Sequence, residues 1–463
     1  MNLPNIKSVY LIGVGGIGMS ALARLFLMLG KQVSGSDQIA SSVTKDLEKA
    51  GIKVNIGHKV DNLAQEDMVI FSEAITDSSP GWIELNEARE KKLKVLSYAK
   101  ALGLLMEGHH GIAVSGTNGK STTTALLGLI LEAGGLDPTV VVGSQIFFDS
   151  KKTKFQANAR LGKSKYFVAE ADEYHRHMLD VKPELAVLTN IELDHLDYYK
   201  NLAEIKSAFA DFVKLLPPDG MVIYNADDHE TVEAARQAEA HKYTYGIHHY
   251  ADLQAIRLGS GSGKQKFELQ YNNEILGEVK LRMPGRFNVL NALAAALAAL
   301  KLGVKFDVIK KTLEEFRGIW RRFELVGEVE NTKIISDYAH HPTAVKETIL
   351  ACQELYPDKK ILTVFQPHQK NRTQKLFAEF VDALSYAPAL IIAEIYEVAG
   401  REHGEKISSK DLIKGLERFK INAAYAKDLA ETEKKIREKL TEFDVVLIMG
   451  AGDVDEVARR LVS

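Results

Sequence analysis

Short runs of β-branched and aliphatic residues alternate along this chain with longer stretches whose apolar positions recur at helical spacing. Runs at residues 9–12, 32–35, 68–71 and 94–96 read as strands with helices between them, the alternation that builds a parallel α/β sheet. This first series ends near Gly108. A second has strands at 112–115, 166–169, 185–189 and 221–224, followed by the charge-poor helix NVLNALAAALAALKLGV, whose alanines suit close packing on a sheet. A third places strands at 332–336, 361–365, 389–393 and 445–449. The pattern predicts an α/β protein of three α/β domains, 1–108, 109–317 and 318–463, the central one with a mostly parallel sheet. No repeat period or low-complexity tract interrupts it.

A length of 463 residues fits several cores rather than one. With 59 Lys and Arg against 62 Asp and Glu, the net charge is −3, so no bulk field calls for nucleic acid or an anionic membrane. Any anionic ligand must be held by local groups. The apolar stretch 9–29 is broken by glycines and Arg24 and lacks a small-residue cleavage site, and no other apolar run reaches spanning length. A soluble cytoplasmic protein without a membrane partner is expected. Cys352, the one cysteine, can form neither an internal disulfide nor a thiolate metal site, and is expected to be packed.

Two glycine turns carry the first chemistry. In GVGGIGMS, Gly13, Gly15 and Gly18 open a helix after a strand, and Asp37 ends the next strand. There, backbone N–H groups and a helix end can meet a phosphate while the acid meets a ribose. Alone, this spacing fits a nicotinamide enzyme as well as any other nucleotide binder. The stronger signal is GTNGKST. The turn at Gly116, Thr117, Asn118 and Gly119 can cradle a triphosphate, Lys120 can neutralise its terminal oxygens, and Ser121 or Thr122 can ligate Mg²⁺. Downstream, strand ends release Glu170, Asp172 and Glu173, then Asp194, His195 and Asp197, where a further metal ligand set is expected. In the third series, SDYAHHPTAV and FQPHQKNRT bring His340, His341, His368 and Arg372 to strand ends, a basic mouth for a carboxylate or a moving phosphoryl group.

In this order the motifs resemble the Mur ligases, ATP-dependent amino-acid-adding enzymes of peptidoglycan synthesis. The blocks are GVGGIGMS, NARLG (158–162), EADE, GRFNVLNA (285–292), RRFE (321–324), DYAHHPT (337–343), FQPH with RT, and MGAGD (449–453), and they span essentially the whole chain. The resemblance implies a Rossmann-like N-terminal domain for a UDP-sugar, a central P-loop ATPase domain, and a Rossmann-like C-terminal domain for the amino acid. It further implies that ATP phosphorylates the lactyl carboxylate of UDP-N-acetylmuramate and that the amine of L-alanine attacks the acyl phosphate. By matched position, the UDP moiety falls to Gly15, Gly16, Gly18, Ser20 and Asp37, and adenine to Asn288 and Asn291. Metal falls to Glu170 and His195 with Ser121 or Thr122, and the γ-phosphate to Lys120. Tyr338, His341 and Arg372 surround the amino acid and acyl phosphate, with Arg322 reaching in. A monomer or weak homodimer is expected.

The chain departs from the pattern of the alanine-adding branch of that family at several points. Asn118 and Ser121 stand in a loop usually written GTHGKTT, Gln369 replaces an arginine, Phe287 replaces a histidine, and YHRH follows Asp172-Glu173. No lysine matches the position carbamylated in sister ligases; Lys206 is near it but out of register. Three other readings stay open: a ligase attaching a preformed tripeptide to the same UDP-sugar, a non-catalytic UDP-sugar binder, and an NAD(P)-dependent oxidoreductase.

Overall fold

A computed structural model describes residues 5–147, 153, 155, 157–261, 264–398 and 406–463. The chain packs as two compact units, the first of residues 1–191, 206–251 and 294–312, the second of 192–205, 252–293 and 313–463.

The first unit holds two sheets. One is five-stranded and parallel, in the order Lys53–Ile56, Gln32–Asp37, Ser8–Ile12, Met68–Phe71, Lys94–Ser97. Its central strand is buried on both faces from Val9 to Ile12, which is why that stretch is continuously apolar rather than alternating. The strand order reverses direction beside Ser8–Ile12, so the GVGGIGMS turn lies at a topological switch point, where open α/β sheets bind ligands. The other sheet centres on His110–Ser115, flanked in parallel by Tyr166–Glu170 on one side and Leu185–Leu188, Met221–Asn225 and His241–Gly246 on the other. Thr139–Val141 extends it beyond Tyr166–Glu170, with the short antiparallel Ala159–Arg160 after it.

The second unit contains an antiparallel meander, Leu253–Gly261, Lys264–Tyr271 and Glu274–Leu281. It also contains a sheet ordered Glu324–Val329, Thr332–Asp337, Val445–Met449, Ile361–Phe365, Ala389–Ala393, Asn422–Ala426. All of its pairings are parallel except the first. Apolar clusters cover both faces, one around Phe365, Phe380 and Leu447, the other around Val364, Ile448 and Val457. Cys352 is buried in the first of these clusters, and burial pushes its thiol up to about 12. Every strand expected above is present. The meander, His241–Gly246 and the edge strands Lys53–Ile56, Glu324–Val329 and Asn422–Ala426 were not anticipated. Among the described residues no helix is long and apolar enough to cross a membrane.

Candidate active site

The glycine turn after Ser8–Ile12 is held from below. Gly13 N and Val14 N both donate to Ser36 O, at 2.8 and 2.9 Å, and Gly13 takes φ +81°, a conformation that favours glycine. Asp37 Oδ2 accepts from Gly15 N at 2.8 Å, and a Cβ on Gly15 would stand 2.8 Å from that same oxygen. The acid expected to meet a ribose therefore also fixes the turn. Gly16 N-caps the helix Ile17–Met28 without any side-chain cap, leaving its amides to an incoming anion. Ser20 is buried, donating to Ile17 O at 2.8 Å, while Asn158 Nδ2 donates to Ile17 O and Ser20 Oγ at 2.8 and 3.1 Å. Asn158 of the NARLG block thus anchors the start of this helix.

The second glycine turn joins His110–Ser115 to the helix Lys120–Ala133. Gly116 and Gly119 have φ +136° and +88°. At Gly116 a Cβ would fall 2.1 Å from Thr189 Oγ1 and 2.9 Å from Asn190 O. The loop is clamped by the end of the neighbouring strand: Thr117 N donates to Asn190 O and Asn118 N to Asn190 Oδ1, both at 2.9 Å. Thr189 Oγ1 and Asn190 Nδ2 donate back to Asn118 O at 2.6 and 2.9 Å. These two residues were not singled out from the sequence, because nothing local marks them as partners of a loop more than seventy positions earlier.

Lys120 Nζ donates to Gly116 O at 2.6 Å and to Glu173 Oε2 at 2.7 Å, with Asp172 Oδ1 4.0 Å away. Burial alone would lower the lysine pKa. The Glu173, Asp172 and Glu170 carboxylates override it and hold the ammonium above its ordinary value. Ser121 Oγ donates to Glu170 Oε2 at 3.0 Å, and Gly143 N donates to the other Glu170 oxygen. Thr122 is buried on the same first turn. Ser121 and Glu170 therefore present a hydroxyl and a carboxylate together, hard oxygen donors of the kind Mg²⁺ takes.

In the second unit the residues around DYAHHPT and FQPHQKNRT meet. Arg372 Nε and Nη2 both donate to Asp194 Oδ1, at 3.0 and 2.8 Å, and Nη1 lies 3.2 Å from His368 Nδ1. Burial would raise the Asp194 pKa, but Arg372 holds it well below the usual carboxylate range. His195 follows with φ +54°, its N donating to Asp194 Oδ1 at 2.6 Å. His341 Nδ1 lies 3.2 Å from Glu192 Oε2 and its Nε2 lies 3.1 Å from Leu193 O. Burial works against its protonation, yet Glu192 and Asp194 keep its pKa above the ordinary value.

Burial, then the Arg372 charge, drives His340 well below its usual value, so it is neutral at pH 7. The basic mouth expected here is thus corrected: one arginine is spent on a buried aspartate and one histidine is uncharged. The guanidinium carbons of Arg321 and Arg322 each lie 4.9 Å from the Tyr338 ring centroid. His368 stacks on Tyr396, centroids 5.5 Å apart. Gln369 is buried at φ +70°, its N donating to Tyr396 O at 2.9 Å. Its side-chain Nε2 has no hydrogen-bond partner among the described residues. Arg321, Glu192 and Tyr396 had not been read as site residues.

Asn288 and Asn291, both buried, sit one turn apart on Arg286–Lys301. Asn288 Nδ2 donates to Pro284 O at 2.7 Å, and Asn291 Nδ2 to Asn288 Oδ1 at 3.3 Å.

A switch-point glycine turn, a P-loop lysine and a polar cluster of Tyr, His and Arg define a nucleotide-dependent ligase architecture, and the three segments match three family profiles. These are described as Mur ligase family, catalytic domain, over residues 8–110; Mur ligase middle domain, over 114–299; and Mur ligase, glutamate ligase domain, over 321–452. The chain belongs to the Mur ligase family. It is 39% identical to the UDP-N-acetylmuramate–L-alanine ligase of Aquifex aeolicus (strain VF5), covering 97% of this chain and 96% of that one. It is also 39% identical to the enzyme of the same name from Clostridium novyi (strain NT), over 99% and 98%. The crystal structure of UDP-N-acetylmuramate-alanine ligase from Thermotoga maritima superposes with a TM-score of 0.82 at 29% identity, covering 98% of both chains. A murein peptide ligase from Psychrobacter arcticus 273-4 superposes with a TM-score of 0.76 at 25% identity, again over 98% of both.

Proposed function

We propose that this chain is an ATP-dependent carbon–nitrogen ligase that joins L-alanine to the lactyl carboxylate of UDP-N-acetylmuramate, a step in peptidoglycan precursor synthesis. The observation that carries this reading is full-length identity of 39% to ligases of that name, over a chain that has both a diphosphate turn and a P-loop. Two nucleotide turns suit a ligase with a UDP-sugar and ATP; an oxidoreductase has no use for Lys120 and its acids. The tripeptide-attaching alternative is not favoured, since the matching murein peptide ligase is less similar in sequence and fold.

In the reaction, the lactyl carboxylate oxygen attacks the γ-phosphorus and ADP leaves. The amine nitrogen of alanine then attacks the acyl carbon, the amide forms as phosphate departs with the bonding pair, and the ammonium proton goes to solvent or a neighbouring base. Domains 1–108, 109–317 and 318–463 bind UDP-sugar, ATP and amino acid in this reading. Lys120 exchanges Gly116 O and Glu173 for the β- and γ-phosphates, while the amides of Gly116, Thr117, Asn118 and Gly119 line them. Asn288 and Asn291 face adenine, and Gly15, Gly16, Gly18, Ser20 and Asp37 serve the UDP moiety. Ser121, Thr122, Glu170 and His195 would hold Mg²⁺, which when bound offsets the crowded phosphate charge. Tyr338, His341, Arg372 and Arg322 surround the amino acid and the acyl phosphate. The site works in the cytoplasm, as a monomer or weak homodimer.

The test is ADP release by the purified chain with Mg²⁺. Release requiring both UDP-N-acetylmuramate and L-alanine is expected; release indifferent to the UDP-sugar would reject the reading.

A further inference from the structure

A buried carboxylate that none of the motifs above contains is bonded to the floor of the first glycine turn. Glu84, on the helix Trp82–Glu90, is fully buried. Its Oε1 accepts from Tyr10 Oη, Lys59 N and Asn62 Nδ2 at 3.3, 3.1 and 2.6 Å. Its Oε2 accepts from Ser36 Oγ and lies 3.1 Å from His58 Nδ1, which is itself 3.0 Å from Ser36 Oγ. Ser36 and the His58 side chain are buried with it. Burial would raise the Glu84 pKa, but His58, Ser36, Asn62 and Lys59 N more than offset this and keep the carboxylate ionised. Each of these partners can donate, so a group that only accepts suits the position.

Both carboxylate oxygens lead to Asp37, the acid read above as the ribose partner. Through Oε2 the network holds Ser36, the residue before it, whose carbonyl accepts from Gly13 N and Val14 N under the turn. Through Oε1 it holds Asn62, whose Nδ2 also donates to Gly57 O at 3.0 Å. Gly57 N in turn donates to Asp37 O at 2.8 Å, and Asp37 Oδ2 accepts from Gly15 N at 2.8 Å. Glu84 thus fixes the backbone on both sides of the acid and beneath the turn, while its own burial keeps it from touching a ligand. A buried charge held in this way adds little net stability, because its hydrogen bonds mostly offset its desolvation. What they supply is geometry, and the geometry here is that of the turn amides and the acid.

We propose that Glu84 is a positioning residue for the UDP-sugar, holding Asp37 and the amides of the glycine turn in one arrangement ready for ribose and diphosphate. This rests on the UDP-sugar reading given above. The test is calorimetric binding of UDP, UDP-N-acetylmuramate and a non-hydrolysable ATP analogue to the wild type and to Glu84→Gln, beside thermal unfolding of each. The glutamine keeps the shape but sets an amide donor among donors. Both UDP compounds are expected to bind about tenfold or more weakly, the scale of a buried donor left unpaired, while the ATP analogue stays within about twofold. In turnover, KM for UDP-N-acetylmuramate rises and kcat is kept. Ser36→Ala removes one hydroxyl and leaves the carbonyl under the turn. It should weaken UDP about threefold or more, and it carries the test if Glu84→Gln does not fold. UDP affinity at the wild-type level, whatever the melting temperature, would overturn the proposal, and so would equal weakening of UDP and the ATP analogue. Failure of the wild type to bind UDP would instead defeat the UDP-sugar reading itself.

Discussion

At Lys120 the resting site shows the work the side chain must do. Its ammonium is held by Gly116 O and Glu173, groups a triphosphate can replace, and the surrounding carboxylates keep it charged. Lys120→Ala is expected to cut kcat by 10²-fold or more, as loss of a phosphate-stabilising cation does, with UDP-N-acetylmuramate affinity close to wild type. Equal loss of both would contradict a division of labour between the two turns. His341 gives a pH signature. Because its folded pKa is raised, its contribution to stability is complete below about 6.5 and is lost as pH climbs through the raised value. The stability difference between wild type and His341→Gln, from denaturant midpoints, should thus be larger at pH 6 than at pH 9; an unchanged difference would remove the Glu192 partnership.

Gln369 is buried and neutral, its amide nitrogen without a hydrogen-bond partner among the described residues, and Arg372 is already committed to Asp194, which leaves little free positive charge for a carboxylate. Gln369→Arg should lower KM for L-alanine, and leakage to glycine or L-serine should fall with it; an unaltered KM would dismiss the local-charge argument. Lys120, Ser121 and Arg372 could be read from sequence because each stands in a short motif. Asp194, though noted as a strand-end acid, could not be matched to Arg372, since 178 residues separate them and only the fold joins them.

Elements were legible where burial is two-sided. Strands such as Ile361–Phe365 and Val445–Met449 are buried along their whole length and read as unbroken apolar runs. The meander was missed for the opposite reason: Lys264–Tyr271 buries alternate residues, Gln265, Phe267 and Leu269, among lysine and glutamate, so its period-2 signal is thin. The same logic hid the edge strand Lys53–Ile56, which has no buried residue. Glycine positions make the sharpest test at this scale. Gly116→Ala would force a Cβ to 2.1 Å from Thr189 Oγ1 at a φ that L residues rarely adopt. A loss of about 2–4 kcal/mol in folding stability is expected, or a displaced loop with ATP affinity reduced at least tenfold. Calorimetric unfolding and nucleotide titration together check this, and a variant normal in both would show that the clamp by Thr189 and Asn190 does not shape the loop.

For the whole molecule, the alternation of strands and helices was enough to forecast an α/β fold with mostly parallel pairing, and the order of motifs was enough to give the family. Which amino acid is joined was harder to read, because alanine offers only a methyl group and selectivity must come from the ammonium, the carboxylate and excluded bulk. The neutral His340 and the Asp194-bound Arg372 make that selection depend on hydrogen bonds more than on charge. The most direct measurement is mass analysis of products after incubating pure enzyme with UDP-N-acetylmuramate, ATP and Mg²⁺. Alanine, serine, glycine, D-glutamate and the L-Ala-γ-D-Glu-diaminopimelate tripeptide are offered in competition. The account predicts UDP-N-acetylmuramoyl-L-alanine as the main product, with minor glycine and serine adducts and one ADP per amide formed. A tripeptide adduct with no alanine adduct would contradict it.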